Sequence, residues 1–472
     1  MKSWDARRIA QAAGAALVAE PAPGAGGPTR AAIDSRRLAP GELFVGLPGA
    51  RADGGAHAAQ ALEEGAWGVL VTPAHAHELE LEHRGSGAGA VLAHEHPLEA
   101  LQALARAWGA ELHARGARTV AITGSTGKTS TKDILAALLA PVMRTFASPE
   151  NHNTEIGLPL SLLSADEDAE AIVLEMAMRG AGQIAQLTAI ARPDVGVIVN
   201  VGPAHIELLG SLEAVAAAKA ELIAGLAPGA SIVVPAGEPL LAPYLRADLE
   251  LITFGDGGEL TLHAREADGT VVILDRGEEI RLRPSFAQAH NLSNLLAAVG
   301  AARALGHTPS GPLEVSFSSM RGQRHELAGG VVLIDDCYNA NPMSMRAAIA
   351  DLAESAQGRS VAVLGDMLEL GRASAQLHRE IGEFASASGV GLMLAVGPRA
   401  GAIAGSFSGE SHRARDAQEA ALLLPALLRA GDTVLVKGSR GVGLEHVAER
   451  LIAHEPTPSE ARPAAPLGSG QR

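Results

Sequence analysis

The chain has 472 residues, 47% of them hydrophobic, which is too long for one core and enough to fill two or three. Its formal net charge of -15, with no long basic run, argues against nucleic acid as the main partner, because phosphate backbones are held by clustered Lys and Arg. The single cysteine, Cys337, excludes an intramolecular disulfide framework and points to a reducing, cytoplasmic setting.

In chain order, MKSWDARRIAQAAGAALVAE is interrupted by charges and lacks the apolar core of a signal peptide. No apolar run is long enough to span a bilayer, so no membrane insertion is expected. Apolar, β-rich runs then recur between Ala- and Leu-rich stretches. They are ELFVGL (42–47), WGVLVT (67–72), TVAIT (119–123), AIVLEMA (171–177), VGVIVNV (195–201), VVLIDD (331–336), SVAVLGD (360–366), GLMLAV (391–396) and DTVLVKG (432–438). Strands alternating with helices predict an α/β protein whose sheets are mostly parallel and covered on both faces. Residues 238–285 alternate with turn residues and predict an antiparallel insertion in the middle domain. The expected domains are 1–110, 111–318 and 319–455, with a hinge near 318. The Pro-, Ser- and Gly-rich tail 456–472 is expected to be disordered.

AITGSTGKTSTKD, residues 121–133, joins a strand to a helix through Gly124, Ser125, Thr126 and Gly127. Such a turn gathers backbone N–H groups and the positive end of a helix dipole around one point. Gly124 and Gly127 allow positive φ and close approach of a phosphate. Lys128 reaches the outer phosphates, and the Thr129 hydroxyl, followed by Ser130, suits Mg²⁺. The usual phosphate loop has four residues between its first glycine and the Gly-Lys pair; here only Ser125 and Thr126 intervene.

Further polar residues sit at strand ends, where open α/β sheets place ligands. Glu175 ends AIVLE and could hold Mg²⁺, although a lone acid there is more often merely solvated. His205, in VNVGPAH, is ambiguous alone. Lys219, among alanines, reads by itself as a solvated helix residue. VVLIDDCYNANPMSM places Asp335, Asp336, Tyr338, Asn339 and Asn341 after a buried strand, as a ligand site or as turn capping before Pro342. Cys337 follows two aspartates that raise its thiol pKa, so it reads as a packing residue rather than a nucleophile.

TGSTGKTS, NHNTEIGLPLSLL, VLEMAMRGAGQI, VNVGPAHIELLGSLEAVAAAKAEL, HNLSN, DDCYNANPMSM, LGDMLELG and LVKGSR, in this order, resemble the Mur ligase family of bacterial cell-wall synthesis. DSRRLAPGELFVGLPGARADGG is similar to that family's UDP-sugar domain, and the resemblance runs from about residue 30 to about 450. It implies three domains: a UDP-sugar-binding N-terminal domain, a central P-loop-type ATPase domain and a C-terminal Rossmann-like domain. It implies ATP-dependent amide-bond formation through an acyl phosphate, in a monomer. Lys128 would contact the β- and γ-phosphates, within a nucleotide site of Gly124, Ser125, Thr126, Gly127, Thr129, Ser130, Asn291, Asn294, Arg324 and Asp336. RGQR also offers Arg321 beside Arg324.

Thr129 and Glu175 would hold one Mg²⁺, and His205 with Lys219 a second. In this family the lysine is commonly carbamylated, which replaces a repelling cation by anionic oxygens that Mg²⁺ prefers. Lys128, Lys219 and His205 would carry the catalysis. Ser35, Arg36, Asn153, Asn339 and Asn341 would bind substrates. DDCYNANPMSM and LGDMLELG point, within the family, to UDP-N-acetylmuramoyl-tripeptide and D-alanyl-D-alanine as those substrates. Family members often read D-G-H where this chain has Asp53-Gly54-Gly55, with His57 following. Sister ligases that add one amino acid share the loop and metal residues. A P-loop GTPase or kinase would need the longer glycine spacing and usually N-K-x-D, and neither is present. A non-catalytic nucleotide module fits poorly with intact Lys128, Glu175, His205 and Lys219.

Overall fold

The computed structural model describes residues 1–22, 24–49, 52–82, 89–149 and 151–453. The expected tail 456–472 and two positions of the expected sugar loop, 50 and 51, lie outside them. The α/β architecture follows the sequence: three sheets, mostly parallel, with helices between successive strands. Among the described residues no helix is long and apolar enough to cross a membrane.

The first sheet contains β1 (Ala16–Ala19), β2 (Ala31–Ala32), β3 (Leu43–Val45), β4 (Gly68–Val71) and β5 (Ala90–Ala93) in the order β1-β5-β4-β3-β2. Only β1 is antiparallel to its neighbour. The carboxyl ends of β2, β3 and β4 therefore share one edge.

The second sheet has ten strands. Its parallel part contains β6 (Arg118–Thr123), β7 (Thr145–Ala147), β8 (Ala171–Glu175), β9 (Val195–Ile198), β10 (Ser231–Pro235) and β11 (Glu250–Phe254). β6 is buried from Thr119 to Thr123. It lies between β8 and β9, so both its faces are covered and it reads as an unbroken apolar run. The sheet continues through β12 (Leu260–Arg265), β13 (Val271–Asp275), β14 (Glu278–Pro284) and β15 (Gly311–Leu313).

The expected antiparallel insertion is thus partly right. β12, β13 and β14 are antiparallel, but they extend the central sheet, and β11 pairs parallel with β10. Arg276 (φ 49°) and Gly277 (φ 94°) close the β13–β14 hairpin, and paired positive φ values give the turn the twist a two-residue hairpin needs. β10 and β11 are joined by residues 236–249, a connection long enough for a parallel crossover.

The third sheet holds β16 (Gln323–Leu327), β17 (Val331–Asp335), β18 (Ser360–Gly365), β19 (Leu392–Val396), β20 (Glu410–Ala414) and β21 (Thr433–Lys437), ordered β16-β17-β21-β18-β19-β20. All neighbours are parallel except the β16–β17 pair.

The chain divides into two compact units. One comprises residues 1–202 and 208–318 and carries the first two sheets; the other comprises 203–207 and the chain from 319 onward. Within the first unit the helix Pro97–Ala114 joins the two sheets' layers. Its Trp108 is fully buried, meets Trp4 edge-on at 5.4 Å and donates from Nε1 to the Ala165 carbonyl. Ser318, the last residue of that unit, donates its backbone N–H to Asp133 on the helix Lys128–Leu139.

Candidate active site

The loop after β6 opens directly into the helix Lys128–Leu139. Gly127 adopts φ 79°, and a side chain there would come within 2.4 Å of Asn294 Oδ1, so glycine is required twice over. Gly124 differs from expectation. It lies outside the left-handed region, and its constraint is space, because a Cβ would sit 3.0 Å from Val199 Cβ. Lys128 Nζ donates to the Gly124 carbonyl at 2.9 Å. Ser130 follows in the first turn, half-buried.

Asn200, just past β9, props the loop. Its Oδ1 accepts from the N–H groups of Ser125 (3.1 Å) and Thr126 (3.0 Å), and its Nδ2 donates to the Thr126 carbonyl. Ser125 Oγ donates to the Gly202 carbonyl and accepts from the Gly202 N–H. Asn200 was missed in the sequence, where its only signal is an amide between an apolar run and the turn GPAH. The first N–H groups of a helix have no intrahelical acceptor and point toward an anion placed at its start.

Beside this loop three expected residues meet. Thr129 Oγ1 donates to Glu175 Oε2 at 2.7 Å, and Asn153 Nδ2 donates to Glu175 Oε1 at 2.8 Å. The Glu175 backbone N–H is held by Ser148 Oγ, and the Ser148 carbonyl accepts from the buried Lys132. Glu175 is 5% exposed, so it is not the solvated strand-end acid that its sequence position allows. A carboxylate, a hydroxyl and an amide make an all-oxygen set suited to a hard cation that keeps water and phosphate as its other ligands. Among the described residues no cluster of three or more His, Cys, Asp or Glu assembles for a metal.

Asn291 and Asn294, on the helix Ala289–Ala304, are both buried and bonded to each other, with Asn294 against Gly127. Lys219 lies in the helix Leu212–Gly225 and is 2% exposed, which overturns its plainer reading as a solvated lysine. It makes no hydrogen bond or ion pair among the described residues. Burial, and then the charge of Lys128, hold its amine well below the usual lysine pKa, toward the neutral form.

In the second unit, His205 adopts φ 58° and its Nδ1 hydrogen-bonds the Glu369 carboxylate. Asp336 Oδ2 accepts from Lys437 Nζ at 2.7 Å. That amine also donates to the Asn339 carbonyl, so the lysine ties the end of β21 to the loop after β17. Lys437 is 3% exposed and was not singled out in LVKGSR.

The remaining candidates of this unit also make local hydrogen bonds. Asn341 caps the helix Pro342–Ser355 in a reciprocal pair with Ser344, the capping alternative anticipated before Pro342. Asn339 Oδ1 accepts from the adjacent Ala340 N–H. Arg324 bonds Asp351 and Ser355, whereas Arg321 lies over the Tyr338 ring at 3.9 Å and so touches the 336–341 loop directly. Cys337 is buried and donates to Asp335, and burial followed by that carboxylate pushes its thiol well up, as a packing residue requires.

Ser35 and Arg36 begin a short turn after β2, capped by Asp34, which also pairs with the Arg36 guanidinium. The Arg36 side chain is 86% exposed at the carboxyl edge of the first sheet.

Residues 122–302 match the Mur ligase middle domain, and residues 320–440 match the Mur ligase, glutamate ligase domain. The chain belongs to the Mur ligase family. It is similar to the UDP-N-acetylmuramoyl-tripeptide–D-alanyl-D-alanine ligases of Mycobacterium tuberculosis (36% identical, covering 90% of this chain and 92% of that protein) and Bacillus subtilis (36%, 89% and 92%). Among solved structures it is similar to MurF from Acinetobacter baumannii, at TM-score 0.82 and 27% identity over 95% of this chain and 99% of that one. MurF from Thermotoga maritima in complex with ADP gives TM-score 0.75 and 30% identity over 89% and 96%.

Gly55, in the stretch Asp53-Gly54-Gly55 singled out in the sequence, has a structural reason to be glycine. Asp53 Oδ1 accepts from the Gly55 N–H, and its Oδ2 is hydrogen-bonded to His75 Nε2 at 2.9 Å. The His75 ring lies where a side chain on residue 55 would project.

Proposed function

We propose that this Mur ligase joins D-alanyl-D-alanine to UDP-N-acetylmuramoyl-tripeptide, consuming ATP, in the synthesis of a peptidoglycan precursor. The observation that carries the proposal is its 36% identity, along nine-tenths of its length, to ligases named for this reaction.

The chemistry follows from the groups on the loop. A terminal carboxylate oxygen of the tripeptide attacks the γ-phosphorus of ATP, ADP leaves, and an acyl phosphate forms. Lys128 turns from the Gly124 carbonyl to the outer phosphates, and N–H groups at the helix start hold their oxygens. Asn200 keeps the loop open by occupying the Ser125 and Thr126 N–H groups. The dipeptide amine then attacks the acyl carbon, loses a proton, and phosphate departs with one oxygen of the original carboxylate. No protein nucleophile is needed.

Thr129 and Glu175 would hold one Mg²⁺, and His205 with a carbamylated Lys219 a second; bound there, the ions supply charge neutralisation at the transferred phosphoryl group. The oxygen donors around Glu175 support the first site. The burial of Lys219 without a carboxylate partner among the described residues supports the carbamate, since the neutral amine is the form that adds to CO₂. Asp336, held by Lys437, would face the nucleotide, and Ser35 and Arg36 the UDP-sugar.

Oxygen tracing tests the mechanism. With ¹⁸O in the tripeptide's terminal carboxylate, the released phosphate is expected to carry one ¹⁸O per turnover. Phosphate that instead takes its new oxygen from water would mean hydrolysis of ATP without acyl transfer.

A further inference from the structure

We infer that His75, at the start of the helix Pro73–Glu82, is the positioning residue of the nucleotide-sugar loop, its ring packed on Gly55 and bonded to Asp53. The inference rests on the proposal that the loops at the carboxyl edge of the first sheet bind the UDP-sugar. His75 is delivered to that edge by β4, beside the loop that follows β3 and the Ser35–Arg36 turn that follows β2.

A Cβ on Gly55 would lie 2.1 Å from His75 Cδ2, 2.7 Å from Nε2 and 2.9 Å from Cγ, so all three nearest atoms belong to that ring. Gly55 lies outside the left-handed region, so its backbone would accept another residue. The ring is therefore what demands glycine there. The loop leaves no spare room elsewhere: a Cβ on Gly46 would sit 2.8 Å from the Gly55 backbone, and one on Gly54 would sit 2.9 Å from Leu47.

Asp53 is the hub of this arrangement, with one oxygen on the Gly55 N–H and the other on His75. Glu78, one turn along the helix, bonds His75 Nδ1 at 3.2 Å and fixes the ring's orientation. Both ring nitrogens are thus committed and the side chain is only 19% exposed, which makes His75 a support for the loop rather than a group that contacts the ligand. The Asp53 hydrogen bond raises the His75 pKa, and the same bond lowers that of Asp53, so each favours the other's charged form.

The test is steady-state kinetics with UDP-N-acetylmuramoyl-tripeptide, ATP and D-alanyl-D-alanine, together with melting temperatures. His75→Ala is expected to raise KM for the UDP-peptide on the order of tenfold, the scale of a lost charge-assisted hydrogen bond, with kcat and KM for ATP nearly unchanged. Gly55→His alone should also raise that KM, because two rings compete for one space. The double variant His75→Ala/Gly55→His should recover most of the loss. A fall in melting temperature with no change in KM, or a double variant no better than His75→Ala, overturns the inference. Arg36→Ala separates the two levels of the claim, since it is expected to raise KM for the UDP-peptide and not for ATP. If Arg36→Ala responds and His75→Ala does not, only the role of His75 fails. If neither responds, the sugar-site reading fails with it.

Discussion

Lys128→Ala is expected to lower turnover by about 10²–10³, the usual scale for removing one preorganised charge contact from a transferred group. The loop around it should survive. Asn200 and Ser125 hold residues 125 and 126 through their own hydrogen bonds, and Lys128 Nζ donates to the Gly124 carbonyl. The melting temperature should therefore stay close to that of the unaltered protein, since substitutions away from core and network positions typically change stability by less than about 0.5 kcal/mol. Phosphate release under saturating substrates, compared with thermal unfolding, separates the two. Turnover near the unaltered level would remove the phosphate-loop assignment.

Lys219→Ala should be at least as damaging, by on the order of a hundredfold or more in rate. Lys219, buried with no acidic partner among the described residues, is costly to keep charged, so its neutral amine can attack CO₂, forming an N–C bond and releasing a proton. The resulting carbamate gives back the anionic oxygens that a metal needs. Alanine leaves a space at that position, and acetate or propionate at high concentration should fill it and restore part of the activity. Thermal unfolding guards against misreading a folding defect, which no added carboxylate would repair. An active variant, or an inactive but folded one indifferent to carboxylates, would show that the second metal site is built in another way.

Many parallel strands were legible because burial on both faces writes itself as a continuous apolar run, as in AIVLE and TVAIT, although β5, β10 and β20 were not singled out. The short strands were not. β2 has two residues and β15 begins at a glycine, too little for any pattern to register. The site divides in the same way. Gly127, Lys128 and Thr129 are local, so their spacing announces them. Asn200 and Lys437 act on Ser125 and Asp336, far away in the chain, and each looks like an ordinary polar residue beyond a strand. His75 escaped for the same reason, since Asp53 reaches it only through the packing of neighbouring strands. Lys219 is the sharpest case. In a helix of mostly alanine and leucine the weak periodicity does not mark which residue is buried, and only the packed structure decides. Asn341 went the other way, its sequence position before Pro342 having already offered the capping role it takes.

The most direct test is phosphate release from ATP by the purified chain with UDP-N-acetylmuramoyl-tripeptide, the amine being varied among D-alanyl-D-alanine, single D-amino acids and single L-amino acids. D-alanyl-D-alanine should support turnover at concentrations where every single amino acid gives little above background, with a product heavier by one dipeptide less one water. Equal or faster turnover with a single amino acid, and none with the dipeptide, would contradict the assignment and place the chain among the sister ligases of its family.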